Sequence, residues 1–516
     1  MWQRLFLHRE AGGTLQTRIR DMLVHAIHEG LIAPGSRVVS SRVLASELKV
    51  SRATVTLALE HLCDTGVLVP RPRSGLYVNT ELQAVRPTQL NDASKAATQK
   101  AVVWAPRMRL RPSQQRNIVK PGNWQSLPYP FIYGQFDPTL FPTADWRECA
   151  LESLHVGAIR SWAPDHIDGD QESLVAQVQQ RLLPARGIWA QRDEILITAG
   201  AQQATFLLAQ LLVGPRTVVG VEDPGYPDAR NNFLLRTSAV KPLPVDSDGL
   251  VVDGAMAGCR YVYVTPSHQC PTTVTMSLER RHRLLKQAEA HDVVLVEDDH
   301  ESELNFSSKP TAALRSLDNS GRVIYVGSLS KTLAHGLRIG YVVAPPELIV
   351  ELRALRRLVL RHPPTNNEHT AALFIAHGFH ETFMRRLNLA YRDRSQALRE
   401  ALKRHLPDCK VAEAGGGSAL WIKMPRGIDT RALATNALER GIVVEPGGVF
   451  FASSRPPRHY MRMGYSSIPA ERINEGVRQL AACVQDRWVR ERYEARDADN
   501  RHGHKDKKSK KGHGDD

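Results

Sequence analysis

Six short apolar runs alternate with stretches of helical periodicity along the middle of the chain. The runs are Ile195–Thr198, Thr217–Val221, Tyr261–Thr265, Val293–Glu297, Val323–Val326 and Ile339–Val343; the intervening stretches include Ala201–Leu212 and Leu278–His291. Runs apolar at successive positions suit strands buried on both faces, and strands separated by helices are joined by crossovers. The pattern predicts an α/β domain: a mainly parallel sheet with helices on both faces. In such sheets ligands bind beyond the carboxyl ends of the strands, so the residues following each run carry the functional reading.

The run Val323–Val326 leads into Gly327-Ser-Leu-Ser-Lys-Thr-Leu-Ala-His-Gly-Leu-Arg-Ile-Gly-Tyr341. A lysine at a strand end among apolar residues has its pKa lowered by desolvation, which makes Lys331 a nucleophilic amine. Ser328, Ser330 and Arg338 add hydroxyls and a planar cation that suit a phosphate. An amine beside an anion cradle is what pyridoxal phosphate needs. Alone, the stretch is equally a solvated lysine and arginine on a turn.

Three other strand ends point the same way. Thr198-Ala-Gly-Ala-Gln-Gln203 opens a helix with small residues, whose free N–H groups hold a phosphate or merely make a tight turn. Glu222-Asp-Pro-Gly-Tyr-Pro227 sets Tyr226 where its ring can cover a flat cofactor or pack at the surface. Glu297-Asp-Asp-His300 ends a run with carboxylates, and a carboxylate there can keep a pyridinium nitrogen protonated.

The 516 residues have a length prior of about three domains. Formal charge is +14, and residues 1–120 hold 18 Lys and Arg against 8 Asp and Glu. That asymmetry suggests an anionic partner for the N-terminal part, nucleic acid or membrane. The start, Met1–Glu10, has too short an apolar run for a signal peptide. No segment approaches about 18 uninterrupted apolar residues, so no membrane span is expected. The six cysteines are scattered without a C-x-x-C pair and read as ordinary thiols of a cytoplasmic protein, with no metal site.

From Thr14 to Val78 the periodicity is that of a small helical module. Ile19, Leu23, Ile27 and Leu31 share a helical face, Ser40-Ser-Arg42 opens a second helix, and Ser51 N-caps a third carrying Val55, Leu59 and Leu62. The short Lys49-Val50 break between the last two gives a helix-turn-helix, and Arg71-Pro-Arg-Ser-Gly-Leu-Tyr-Val78 forms a hairpin with a basic tip. Residues 80–129 lose apolar periodicity and read as a flexible basic linker, and residues 491–516 as a disordered basic tail.

On Pro34-Gly35, Ser40-Ser-Arg42, Val50-Ser-Arg52, Thr54-Val55, Gly66 and Gly75-Leu-Tyr-Val78, residues 12–79 resemble a GntR-type winged helix-turn-helix. The ordered set Thr198–Gln203, Glu222–Pro227, Thr265-Pro-Ser-His-Gln, Glu297-Asp-Asp, Ser330-Lys-Thr-Leu, Gly336-Leu-Arg-Ile-Gly-Tyr341 and Tyr460-Met-Arg-Met-Gly-Tyr465 makes residues 130–490 similar to a fold-type I aminotransferase domain. Together they resemble the MocR/GabR family of bacterial transcriptional regulators. The resemblance implies DNA contacts from Arg42, Ser51, Arg52, Thr54, Arg71 and Arg73. It implies a Schiff base to pyridoxal 5′-phosphate at Lys331, and a pyridine-nitrogen contact from Asp298. The phosphate would be held by the backbone of Ala201 and Gln202 and by Ser328, Ser330 and Arg338, the ring covered by Tyr226, and an effector acid bound by Arg462.

The chain departs from that pattern at His300, where the family has a tyrosine donor to the 3′ oxygen, at Cys270-Pro-Thr-Thr273, and at His335, where it has proline. Ser161-Trp162 also stands where the family has Gly-Tyr. The expectation is a cytoplasmic, homodimeric regulator of a double-stranded DNA operator, without net turnover. An amine or amino-acid effector would form an external aldimine and alter operator binding. The alternatives are an active aminotransferase with a DNA-binding head, a regulator sensing pyridoxal phosphate itself, and a DNA-binding scaffold whose cofactor site has decayed.

Overall fold

The computed structural model describes residues 13–81, 102, 104–135, 137–252, 254–306, 311–413 and 415–485. The expected tail and residues 82–101 of the expected tether lie outside the described residues. The chain divides into two compact units, residues 1–108 and 109–516.

The first unit has three helices, α1 (Leu15–His28), α2 (Ser41–Leu48) and α3 (Arg52–Asp64), and a hairpin of β1 (Leu68–Arg71) and β2 (Gly75–Val78). Thr14, Ser40 and Ser51 cap the three helices, each accepting a backbone N–H three residues on, which satisfies donors the first turn cannot. Helix α1 ends at His28, just short of Gly30. Gly30, at φ 76°, turns the chain, Ile32 N–H returns to Ala26 O, and Leu31 is left 52% exposed. Lys49, at φ 55°, makes the sharp break between α2 and α3. Leu44, Leu48, Val55, Leu59, Leu62, Leu68 and Val78 close one buried core; each fully buried aliphatic of this kind contributes roughly 1.5–3 kcal/mol.

The second unit is built on an eight-stranded sheet. Its members in chain order are β3 (Ile195–Thr198), β4 (Val219–Asp223), β5 (Val240–Asp246), β6 (Gly249–Leu250), β7 (Tyr261–Val264), β8 (Val294–Asp298), β9 (Val323–Ser328) and β10 (Gly340–Val343). Their spatial order is β3-β10-β9-β8-β7-β4-β5-β6. Strands β9, β8, β7, β4 and β5 are mutually parallel as expected, whereas β10 runs antiparallel to both β9 and β3, and β6 antiparallel to β5.

Alternate residues serve opposite faces. Leu196, Val296, Ile324, Val326 and Val342 join one core cluster, and Ile195, Ile197, Tyr325, Tyr341 and Val343 another. Both faces are therefore buried, which is why the runs are apolar throughout.

A smaller antiparallel sheet follows, with β11 (Lys410–Val411), β12 (Ala419–Lys423), β13 (Glu445–Pro446) and β14 (Tyr460–Gly464) in the order β11-β12-β14-β13. Among the described residues no helix is long and apolar enough to cross a membrane.

The tether expectation changes at its end. Arg116 donates to the carbonyls of Phe451, Ala452 and Ser453, each at 2.9 Å, and Asn231 donates to Asn117 at 2.7 Å. Residues from Gln115 onward are thus fixed to the large unit. Their polar side chains find backbone carbonyls that composition alone does not reveal.

Candidate functional site

The carboxyl ends of β3, β8 and β9 lie along one edge of the sheet. Because β10 is reversed, it starts at that edge, with Gly340 opposite both Ser328 and Thr198. The reversal brings Arg338 back beside the helix that opens at Ala201 (α4, Ala201–Leu212). The approach is close: a Cβ on Gly340 would lie 2.7 Å from Gly200 C.

These elements enclose a cavity of about 490 Å³. It is lined by Lys331, Asp298, His300, Ala201, Gln202, Tyr226, Ser328, Ser330, Arg338 and Arg462, with Ile118, Lys120, Tyr133, Gly134, Gln135, Asp228, Cys270 and His335. Every cofactor and effector residue predicted from sequence therefore meets in one hollow.

Strand alternation divides the three acidic residues at the end of β8. Glu297 is buried below the site, accepting from the N–H groups of Leu314 at 2.7 Å and Arg315 at 2.8 Å. Asp299 pairs with Arg186 at 2.7 Å and accepts from Tyr325 Oη at 2.7 Å. Both hold the fold. Asp298 lies on the other face and lines the cavity: its Oδ2 accepts from the Tyr263 hydroxyl, while Oδ1 is buried with no hydrogen-bond partner among the described residues. Burial opposes its charge, but His300, Tyr263 and Lys331 outweigh burial and hold its pKa below the ordinary aspartate value.

His300 Nδ1 stands 3.7 Å from Asp298 Oδ1, an ion-pair distance. Burial disfavours the imidazolium, yet Asp298 and then Glu301 raise its pKa. The histidine that replaces the family's tyrosine thus puts a titratable imidazole, its charged form favoured by Asp298, where a neutral phenol is usual.

Lys331 Nζ lies 4.7 Å from the centre of the Tyr133 ring. Burial lowers its pKa; Glu301 opposes this and Arg462 adds to it. His335 points among Lys331, Lys120 and Arg338, and burial with those charges pushes it down to about 3; both ring nitrogens lack hydrogen-bond partners among the described residues.

Helix α4 begins without a side-chain cap, at Gly200 with φ 78°. The first N–H groups, of Ala201 and Gln202, have no acceptor within the helix and face an anion site. Arg338 packs on Gly200 and donates to Ala199 O at 3.0 Å. The Ser328 hydroxyl has no hydrogen-bond partner among the described residues and lines the cavity.

Ser330 departs from the expectation of a phosphate ligand. Its hydroxyl donates to Ile339 O at 3.1 Å and accepts from Ile339 N at 2.9 Å, so its proton closes the turn that carries Arg338. The Gln202 side chain likewise serves Tyr226: the phenol donates toward Gln202 Oε1 at 3.2 Å and Asp228 Oδ2 at 3.0 Å, fixing the ring at the cavity wall.

Arg462 is 2% exposed and clamped between the rings of Tyr133 (4.0 Å) and Phe450 (4.6 Å). Its Nε donates to Glu445 Oε2 at 2.7 Å, and Nη2 has no partner among the described residues. Tyr263, Tyr133, Glu445 and Lys120 escaped the sequence reading. Tyr263 left a partial signal, a hydroxyl in the buried strand Tyr261–Val264, which it shares with Tyr261.

In the N-terminal unit, Arg42 and Arg52 are exposed in the first turns of α2 and α3. Ser51 Oγ caps α3 and contacts Thr54 Oγ1 at 2.7 Å, so both hydroxyls are engaged. Arg73 sits at the hairpin tip with φ 60°, and Arg71 stacks on Tyr77 at 4.2 Å. Among the described residues no cluster of His, Cys, Asp or Glu could hold a metal ion.

The donor set fits pyridoxal phosphate: an orphaned buried carboxylate oxygen for a pyridinium N–H, an uncapped helix start with an arginine for the phosphate, and a desolvated lysine.

Residues 146–480 match the family described as "Aminotransferase class I and II", and residues 15–78 match "Bacterial regulatory proteins, gntR family". The chain is 40% identical to the HTH-type transcriptional regulator TauR of Rhodobacter capsulatus, over 94% of this chain and 99% of that protein. It is 30% identical to the probable rhizopine catabolism regulatory protein MocR of Rhizobium meliloti, over 93% and 95%. Among solved structures it is similar to LysN, the α-aminoadipate aminotransferase of Thermus thermophilus in complex with N-(5′-phosphopyridoxyl)-L-leucine. The TM-score there is 0.66, with 28% identity over 74% of this chain and 98% of that one.

Proposed function

The chain belongs to the MocR/GabR family of bacterial transcriptional regulators, and from that premise we propose that its large unit is a receptor for an amine or amino-acid effector. Effector binding changes how a homodimer engages a double-stranded DNA operator, which places its work in the cytoplasm. The observation that carries the reading is Asp298: ionised and buried in the lining of the cavity that holds Lys331, its Oδ1 without a hydrogen bond among the described residues and 3.7 Å from His300 Nδ1.

Bound in this cavity, pyridoxal phosphate supplies an electrophilic carbon that exchanges one amine for another. Lys331, its pKa lowered by burial, supplies the resting amine. Asp298 accepts the pyridinium N–H on Oδ1 while Tyr263 fixes Oδ2. The N–H groups of Ala201 and Gln202, the Ser328 hydroxyl and Arg338 hold the phosphate, and Tyr226 covers the ring. Arg462 receives the acid end of the effector through Nη2, which has no hydrogen-bond partner among the described residues, beside Nη1, which lies 3.8 Å from Cys270 Sγ.

With an effector amine in the place of Lys331, the lysine's own amine would stand free near Arg462, Lys120 and His335. The two states therefore differ in charge and contacts, which any shift of population requires. In the other unit, Arg42, Arg52 and Thr54 meet DNA from the helix starts, with Arg71 and Arg73 on the wing.

The test is a titration of cofactor-loaded full-length protein with candidate amines, following visible absorbance and operator affinity in the same samples. Amines that change the spectrum and leave DNA affinity untouched would reject the reading. Retention of Lys331, Asp298 and Arg338 supports a second reading, an aminotransferase with a DNA-binding head. It requires more than one product per site from amino donor and keto acid, whereas the receptor gives at most one.

A further inference from the structure

We infer that Lys120 is a specificity-determining contact of this site, completing with Arg462 the seat for a single acid group at the far end of the effector; the inference rests on the amine-receptor reading above. Arg462 and Glu445 are opposed across neighbouring strands and joined at 2.7 Å, both almost fully buried. Glu445 thus cancels the charge of Arg462, and the pair alone offers little net attraction for an anion. Lys120 restores it. Its Nζ lies 3.8 Å from Glu445 Oε1, its side chain is 24% exposed, and it lines the same cavity. The three residues together carry one positive charge, and Arg462 Nη2 remains a buried donor without a partner. One singly charged acid group complements both.

The seat is close to the reacting amine. A methyl placed on Gly134 would lie 3.6 Å from Lys331 Nζ and 3.6 Å from Lys120 Nζ, so the two amines border one small volume. Lys331 Nζ and Arg462 Cζ also share the Tyr133 ring, at 4.7 and 4.0 Å. An amine standing in for Lys331 needs only a short carbon chain to set its acid group between Lys120 and Arg462. A plain alkylamine would leave the seat's excess charge unanswered.

Lys120 also comes from an unusual place. It stands on the strap that follows the tether, pinned at Arg116 to carbonyls 451–453. Behind the strap is a second hollow, lined by Val119, Arg431, Leu438 and Val443, and Val119 is 86% exposed.

The experiment uses cofactor-loaded full-length protein and its Lys120→Met, Lys120→Gln and Lys120→Arg variants. Each is titrated with ω-amino acids from glycine to aminopentanoate and with the alkylamines of matching length, read by visible absorbance and calorimetry. The wild type is expected to prefer the acid member of a pair. Lys120→Met and Lys120→Gln should lose that preference by about tenfold or more, the scale of one charged hydrogen bond, and Lys120→Arg should keep it. The preference is a ratio within each variant, so partial loading does not enter. A neutral variant with the wild-type preference overturns the inference, as does a wild type that treats the two members alike. In both of those outcomes amines still bind; a protein whose spectrum answers no amine at all removes the receptor reading itself.

Discussion

Asp298 gives one carboxylate oxygen to the Tyr263 hydroxyl and leaves the other buried at the cavity wall without a hydrogen bond. The tyrosine fixes the rotation of the carboxylate so that the bare oxygen has one direction to face. Asp298→Asn removes the charge that a pyridinium N–H needs and should weaken cofactor binding about ten- to hundredfold. Tyr263→Phe leaves the charge and loses the alignment, so it should cost about tenfold or less. Cofactor titration followed by absorbance separates the two; equal losses would argue that orientation is the whole effect.

Lys331→Ala deletes the only amine the reading places at the cofactor carbon. The variant should bind pyridoxal phosphate through the remaining contacts and lack the visible band of a lysine-linked cofactor. A band of wild-type intensity in Lys331→Ala would move the linkage to another amine, with Lys120 the first to examine.

Arg52 and Ser51 are neighbours with separable duties. Arg52→Ala should lower affinity for a selected operator by about tenfold or more and leave the cofactor spectrum unchanged. Ser51→Ala loses the α3 cap, the Thr54 N–H to Ser51 Oγ bond of 3.1 Å, and should destabilise the N-terminal unit by about 1 kcal/mol. Mobility-shift and melting measurements on both variants check the division.

Stability should fall as pH rises through neutrality. Burial pushes Glu222 up to about 7, against donors from Thr265 and Gln269, and burial with the charge of Asp170 pushes Glu368 up to about 8. The ordinary value for either is 4.5. Folded pKa values above unfolded ones mean that the folded state holds protons the unfolded chain has released. The favourable contribution is complete below 4.5 and lost as pH climbs to each folded pKa, levelling off above about pH 8. Each group changes stability by about 1.4 kcal/mol per pH unit within its window. Melting temperatures across that range should decline more gently in Glu368→Gln than in wild type; identical slopes would count against a buried, protonated Glu368.

The strands of the large unit were legible because burial on both faces forces apolar residues at every position. The direction of β10 was not, since a run buried on both faces reads the same either way, and only Gly340 hints at the close passage to Gly200. Lys331, Asp298 and Arg338 could be found at strand ends by residue type. The fate of Ser330 could not, because whether a hydroxyl serves a ligand or its own turn depends on a backbone carbonyl nine residues away. Lys120 and Glu445 were hidden for different reasons. Lys120 sits in a stretch whose composition looks solvated, and Glu445 takes its meaning from facing Arg462 across a strand pair.

Reversal of β10 means that the chain leaves the sheet edge after Ser328 and returns to the same edge at Gly340. The amine of Lys331 and the guanidinium of Arg338 are therefore two points on a single closed excursion, and the residues between them act as a gauge block. Their number sets the span between the groups that would grip opposite ends of the cofactor. Side chains along the excursion can vary widely where nothing packs, as at Gly336. Its length cannot.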